Sequence, residues 1–286
     1  YVSVKVSAVV SQLNPWAFDD SLRRVVERLR PMLIAASGTE PRTFVNLDME
    51  EYRDLELTLQ SFVRVLDEPE FVSVDAGIVL QAYLPDSHEA LERLGTWAAD
   101  RHAADGGTVK VRLVKGANLA MEAVEAEMHG WVAAPYPTKA DVDASYKAML
   151  DSLLRPEWAA AVGVGLASHN LFDVAWALTL GADRGSLDRI EFEMLEGMAP
   201  AQARAVHAVT DDLLMYAPVV SDDDFDASIA YLSRRLDENT QPDNFLRSLF
   251  TLTADSPEFE EEAQRFRTAV AARGDVARNR RRRPVT

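Results

Sequence analysis

Apolar, β-branched runs recur along the chain at residues 2–8, 43–47, 77–82, 109–114, 162–167, 190–192 and 213–216, and the stretches between them carry helical periodicity. Single strands parted by helices imply right-handed βαβ crossovers and therefore a parallel sheet. This many repeats predicts an α/β chain built as a (β/α)8 TIM-type barrel, one strand short, in preference to an open doubly wound sheet. Because Tyr1 stands almost directly inside a strand, the missing first strand is expected upstream, in a longer polypeptide. The pattern divides the chain into a barrel over residues 1–250 and a C-terminal helix with a basic tail or linker over 251–286.

Composition narrows this picture. With 286 residues, 48% of them hydrophobic, the chain can bury a large core, and one barrel accounts for the length. The formal charge of −16 argues against a nucleic-acid surface. The one basic cluster, residues 278–283, follows an acidic helix around 258–262 and is expected to be a solvated tail or linker without catalytic work. No apolar run approaches the roughly 20 residues that span a bilayer. The absence of cysteine excludes disulfides and thiolate catalysis and makes the cytoplasm the expected compartment. No His-Glu-x-x-His, aspartate-rich metal loop or Gly-x-Gly-x-x-Gly is present, so metal catalysis and a Rossmann site lack support.

Barrel enzymes carry their chemistry at the C-terminal ends of strands. Polar residues collect there in this sequence: Lys5, Asp48, Gln81, Arg112 with Lys115, His169 with Asn170, and Tyr216. Arg112 and Lys115 stand in and just beyond an otherwise apolar strand, where an unpaired charge costs several kcal/mol. They face either a polar ligand or buried acids such as Asp48. Lys5 fits the same convergent site, or else a Schiff-base lysine of a carbonyl-chemistry barrel, which requires a desolvated amine. A lone histidine after a strand, such as His169, is more often a structural hydrogen-bonder than an acid or base.

One further segment, Tyr231-Leu-Ser-Arg-Arg-Leu-Asp-Glu238, projects Arg234, Arg235 and Glu238 from neighbouring helical positions. Two guanidiniums can grip a carboxylate while a carboxylate one turn later accepts from an amine, which is a binding set for an amino or imino acid. The same residues on a solvated helix face are the alternative.

Together, Arg-Leu-Val-Lys-Gly-Ala at 112–117, Ala-Ser-His-Asn at 167–170, Tyr-Ala-Pro at 216–218 and Tyr-Leu-x-Arg-Arg-x-x-Glu-Asn at 231–239 resemble the proline dehydrogenase family in content and order. The likeness runs from about residue 2 to 245 and is greatest to the proline dehydrogenase domain of bifunctional flavoenzymes. It implies FAD at the barrel mouth and oxidation of L-proline to Δ1-pyrroline-5-carboxylate by hydride transfer to flavin N5. Through the resemblance, Arg112 donates toward N5, and Val114, Lys115, Gly116 and Ala117 line the cofactor. Asp48 and Gln81 lie close to the isoalloxazine ring, and Ser168, His169 and Asn170 match the family's Thr-His-Asn segment on the FAD side. Thr138 and Lys139 sit in a loop that holds pyrophosphate, and Phe245 is an aromatic beside the cofactor.

On the substrate side the resemblance implies that Arg234 and Arg235 bind the proline carboxylate, with Lys5 and Glu238 completing a charged network. Tyr216 and Leu195 pack on the ring and disfavour a hydroxylated one. It further implies a quinone-type acceptor in the membrane, with the protein cytoplasmic or peripheral at the inner membrane face, and a covalently linked aldehyde-oxidising domain that this chain does not contain. Two departures stand out. The family's first strand, with an acidic residue guarding the site, has no counterpart, and Asn118 replaces the tyrosine that walls the site in close relatives. A truncated flavin-binding domain without turnover is therefore an alternative.

Overall fold

The computed structural model describes residues 1–240, 244–248 and 251–283, with residues 224, 227, 230, 234 and 237–240 described by backbone alone. Seven strands, β1 (Val2–Lys5), β2 (Val45–Asp48), β3 (Ala76–Gln81), β4 (Val109–Val114), β5 (Val162–Ala167), β6 (Ile190–Leu195) and β7 (Leu214–Tyr216), form one parallel sheet in sequential order. Helices α1 (Val6–Val9), α2 (Phe18–Ser37), α3 (Leu55–Leu66), α4 (Asp86–Ala103), α5 (Leu119–His129), α6 (Lys139–Leu153), α7 (Leu171–Asp183) and α8 (Pro200–Thr210) fall between the strands. After β7 come α9 (Phe225–Thr240), α10 (Phe245–Ser248) and α11 (Pro257–Ala272). The sheet is curled, since Tyr1, just before β1, donates to Glu191 of β6 across it. Among the described residues the architecture is a TIM-type barrel short of one strand, as the hydrophobic pattern predicts.

One expected strand is too long. Residues 2–8 read as continuous strand, but β1 stops at Lys5 and the chain turns into α1, with Val10 N–H on the Val6 carbonyl. The cause is pairing. The β1–β2 ladder ends at Lys5 opposite Asp48, and beyond it the β-branched residues have no neighbouring strand to bond.

The two faces of the sheet differ sharply. Val45, Leu47, Ile78, Leu80, Val109, Val111, Leu113, Val162, Val164, Leu166, Phe192 and Met194 are buried in the apolar core. Alternate positions carry Ser3, Asn46, Asp48, Lys110, Arg112, Glu191 and Glu193, which touch one another across the concave side. Glycine makes room for them. A Cβ at Gly77 would lie 2.3 Å from the Asn46 carboxamide oxygen.

The helices follow their apolar stripes. In α2, Leu22, Val25, Val26, Leu29, Leu33 and Ala36 recur at helical spacing and are buried. Helix α11 starts at the cap Ser256 and packs on α6 and α7, where Phe172 stacks on Phe266. The basic run beyond it, expected to be solvated, keeps residues 278–280 and 283 exposed but also lies against the segment after β2, the first turn of α4 and the connection between α5 and α6. Arg280 reaches Asp86 and Glu89, the Arg281 guanidinium donates to the Pro135 carbonyl, and Arg282 sits over the Tyr52 and Trp131 rings. Acidic partners on α4 and aromatic partners in the two flanking connections hold the tail there. No helix among the described residues is long and apolar enough to cross a membrane.

Candidate active site at the barrel mouth

The parallel register carries the polar residues singled out from sequence to one rim. Lys5, Asp48, Gln81 and Tyr216 are the last residues of β1, β2, β3 and β7; Lys115 and Ser168 immediately follow β4 and β5. Leu195 ends β6 in register with Tyr216, forming a neighbouring pair on one edge.

Arg112 occupies the centre. Its Nε donates to Glu193 at 2.5 Å, and its Nη1 donates to Asp48 at 2.7 Å and Ser3 at 2.9 Å, spanning the barrel from β6 to β2. Its guanidinium lies 3.9 Å from the centre of the Tyr216 ring. Burial works against the charge, but Glu193 and Asp48 outweigh it and hold the guanidinium protonated more firmly than usual. Burial pushes the Asp48 carboxyl up, with Arg112 the main opposing influence. Of the two partners weighed for Arg112 from sequence, the buried acid is present in the structure. Yet its Nη2 makes no hydrogen bond among the described residues.

Other buried polar atoms at the rim make no hydrogen bond among the described residues either, among them Gln81 Oε1 at the end of β3, His169 Nδ1 after β5 and the Tyr216 hydroxyl at the end of β7. Gln81 spends its amide group on the Met49 and Glu50 carbonyls at 3.3 and 3.4 Å. His169 accepts the Leu195 N–H at Nε2, 3.2 Å away, which places the proton of the neutral ring on Nδ1. Burial, and after it the charge of Arg235, lower the His169 pKa. Arg235 of α9 therefore stands near the strand ends, and it also lies 5.3 Å from the Tyr231 ring. The side chains of Arg234 and Glu238 lie outside the described residues.

The loop after β4 is held tightly. Ala82 and Tyr83 donate to the Val114 and Lys115 carbonyls at 2.8 Å, and Gly116 adopts φ +122°, with a hypothetical Cβ 2.4 Å from the Tyr83 ring. Only glycine fits there. Ala117 is exposed, and Asn118 donates to the Glu50 carbonyl at 2.6 Å. Lys115 lies between Asp143 and Asp173 at 2.6 and 2.8 Å, and Asp173 also holds the buried Lys147 at 2.6 Å. Burial pushes Asp173 up, but Lys115 and Lys147 outweigh it and hold the carboxyl well below the usual range. Ser168 donates to Asp173 at 3.0 Å. Thr138 and Lys139, expected in a loop, are the N-cap and first residue of α6, and Lys139 pairs with Asp143 at 2.5 Å. Asn170 caps α7, and Phe245 of α10 meets Phe172 edge-on, centres 6.3 Å apart.

Lys5 is an ion pair with Glu50 at 2.5 Å, its side chain 40% exposed. A Schiff-base lysine needs a desolvated amine. Lys5 is not one. Sequence reasoning missed Glu50, Asp143, Asp173 and Glu193. For Glu193 the signal was present, since Glu-x-Glu at 191–193 mirrors Lys-x-Arg at 110–112 on facing strands.

The sequence profile of the family described as proline dehydrogenase matches residues 1–248. The chain belongs to the proline dehydrogenase family. A curated proline dehydrogenase of Deinococcus radiodurans is 30% identical over 243 residues, covering 83% of this chain and 65% of that relative. Among solved structures, proline utilization A from Corynebacterium freiburgense is 49% identical with a TM-score of 0.89, over 99% of this chain and 27% of that one. Proline utilization A from Bdellovibrio bacteriovorus, inactivated by N-propargylglycine, is 36% identical with a TM-score of 0.82, over 93% of this chain and 26% of that one. This proline dehydrogenase family chain thus spans about a quarter of the solved relatives' length.

Proposed function

We propose that this chain oxidises L-proline to Δ1-pyrroline-5-carboxylate with FAD held at the barrel mouth. The observation that carries the reading is the open set at the rim: a donor on Arg112, a donor on His169 and an acceptor on Gln81, from three adjacent strands. A flavin ring presents carbonyls, ring nitrogens and an N–H, so the donor set fits it. When bound, FAD supplies a hydride acceptor at N5.

The protein's own groups then bind and orient. Asp48 and Glu193 fix Arg112, whose cation favours negative charge developing beside it. Val114, Lys115, Gly116 and Ala117 provide the close backbone wall, Ser168, His169 and Asn170 the facing edge, and Phe245 an aromatic side. Thr138 and Lys139 offer a helix N-terminus and an ammonium to pyrophosphate. Arg234 and Arg235 take the substrate carboxylate. Lys5 and Glu238 form the charged network that receives the proton leaving the ring nitrogen. Leu195 and Tyr216 wall the pyrrolidine ring, where an added hydroxyl would be left unpaired. The reading extends to a quinone acceptor at the membrane, with the protein cytoplasmic and peripheral to the inner face. It places residues 1–250 in the barrel and 251–286 in a helix and basic segment leading toward a linked aldehyde-oxidising domain.

Chemical trapping of the product imine tests the activity. With FAD and an electron-accepting quinone analogue, L-proline should yield trapped Δ1-pyrroline-5-carboxylate and 4-hydroxyproline much less. FAD bound without any imine from L-proline would favour the inert flavin-binding domain.

A further inference from the structure

Glu193 has no part in the chemistry above except through Arg112, yet it is among the most enclosed charges in the barrel, 1% exposed. Its Oε2 takes the Arg112 Nε proton and its Oε1 lies 3.0 Å from Lys110 Nζ, so one carboxylate sits between the two cations of β4. The space for it is built into the neighbouring strand. A Cβ at Gly165 of β5 would lie 2.2 Å from Glu193 Oε1. A guanidinium is a rigid planar fork, so fixing Nε on Glu193 and Nη1 on Asp48 and Ser3 determines where Nη2 points. Asp48 cannot substitute for Glu193, because it binds a different nitrogen from the opposite side of the barrel.

We propose that Glu193 is a positioning residue that aims Arg112 Nη2 at the flavin and, by its buried charge, lowers the positive field Arg112 presents there. The proposal rests on the flavin reading given above. A buried charge is poorly screened by salt, so its removal is felt at the mouth. Lys110, on the far side of Glu193, adds to the field in the opposite sense.

The experiment is redox titration of bound FAD in the parent, Glu193→Gln and Lys110→Met proteins. Glu193→Gln keeps size and an acceptor but loses the charge, so the reduced, anionic flavin gains and the midpoint should rise by about 30 mV, a tenfold change in a two-electron equilibrium. Lys110→Met should move it down. Opposite shifts cannot come from general loosening of the fold, and Lys110→Met still decides the matter if Glu193→Gln does not fold. Fully flavinated variants with the parent midpoint would overturn the role of Glu193 alone. A parent protein that takes up no FAD would overturn the functional reading and this proposal together.

Discussion

Arg235 brings a cation to the strand ends close enough to depress the His169 pKa. Arg235→Met should raise the apparent KM for L-proline at least tenfold, since an unmatched carboxylate charge costs about 2–5 kcal/mol. Pyrrolidine, which has no carboxylate, should be nearly indifferent in the same steady-state assay; an equal loss for both would remove Arg235 from the clamp. A second residue-level test concerns pH. Burial raises the Asp54 carboxyl from 3.8 to about 6. The folded state therefore holds this proton more tightly than the unfolded chain. Its contribution to stability is complete below about pH 4 and is lost as pH rises through 6. Asp54→Asn should thus raise the melting temperature at pH 7 to 8, by an amount equivalent to at most about 2–3 kcal/mol, and should change little at pH 4. Thermal scans across pH show this directly, and a pH-independent difference would contradict it.

At the scale of elements, the loop after β4 ties strand geometry to the site. Gly116→Ala places a methyl in the Tyr83 ring at a backbone angle that L side chains rarely adopt. It should weaken FAD binding at least tenfold by fluorescence titration while leaving far-UV circular dichroism intact; parent-like affinity would show that the loop does not touch the cofactor. The inner strands β2 to β6 were legible in sequence because each pairs on both sides and carries a run of apolar residues toward the helices. Most boundaries fall within two residues of the pattern, and two miss by three. Residues 6–8 are β-branched or small but lack a ladder partner, and β6 runs on to Leu195 because Glu193 faces inward, where a hydrophobic pattern cannot see a charge satisfied by Arg112. Strand-end residues such as Gln81, Arg112 and His169 were visible as polar breaks in apolar runs. Asp143 and Asp173 were invisible as site residues, since only the fold brings two helices to Lys115.

Across the whole molecule, the barrel departs from one filled by apolar layers. Its concave face is an ion-paired stack from Lys110 and Glu191 through Glu193 and Arg112 to Asp48. That stack leaves a donor open at the mouth, and a ligand binding only the folded state should stabilise it by mass action. The central claim is that this ligand is FAD and that L-proline reduces it. Visible absorption of the FAD-reconstituted protein under anaerobic conditions, before and after L-proline, tests it most directly. The account predicts oxidised-flavin bands that bleach on adding L-proline and persist in buffer without L-proline. Bound flavin that stays oxidised at saturating L-proline would contradict it.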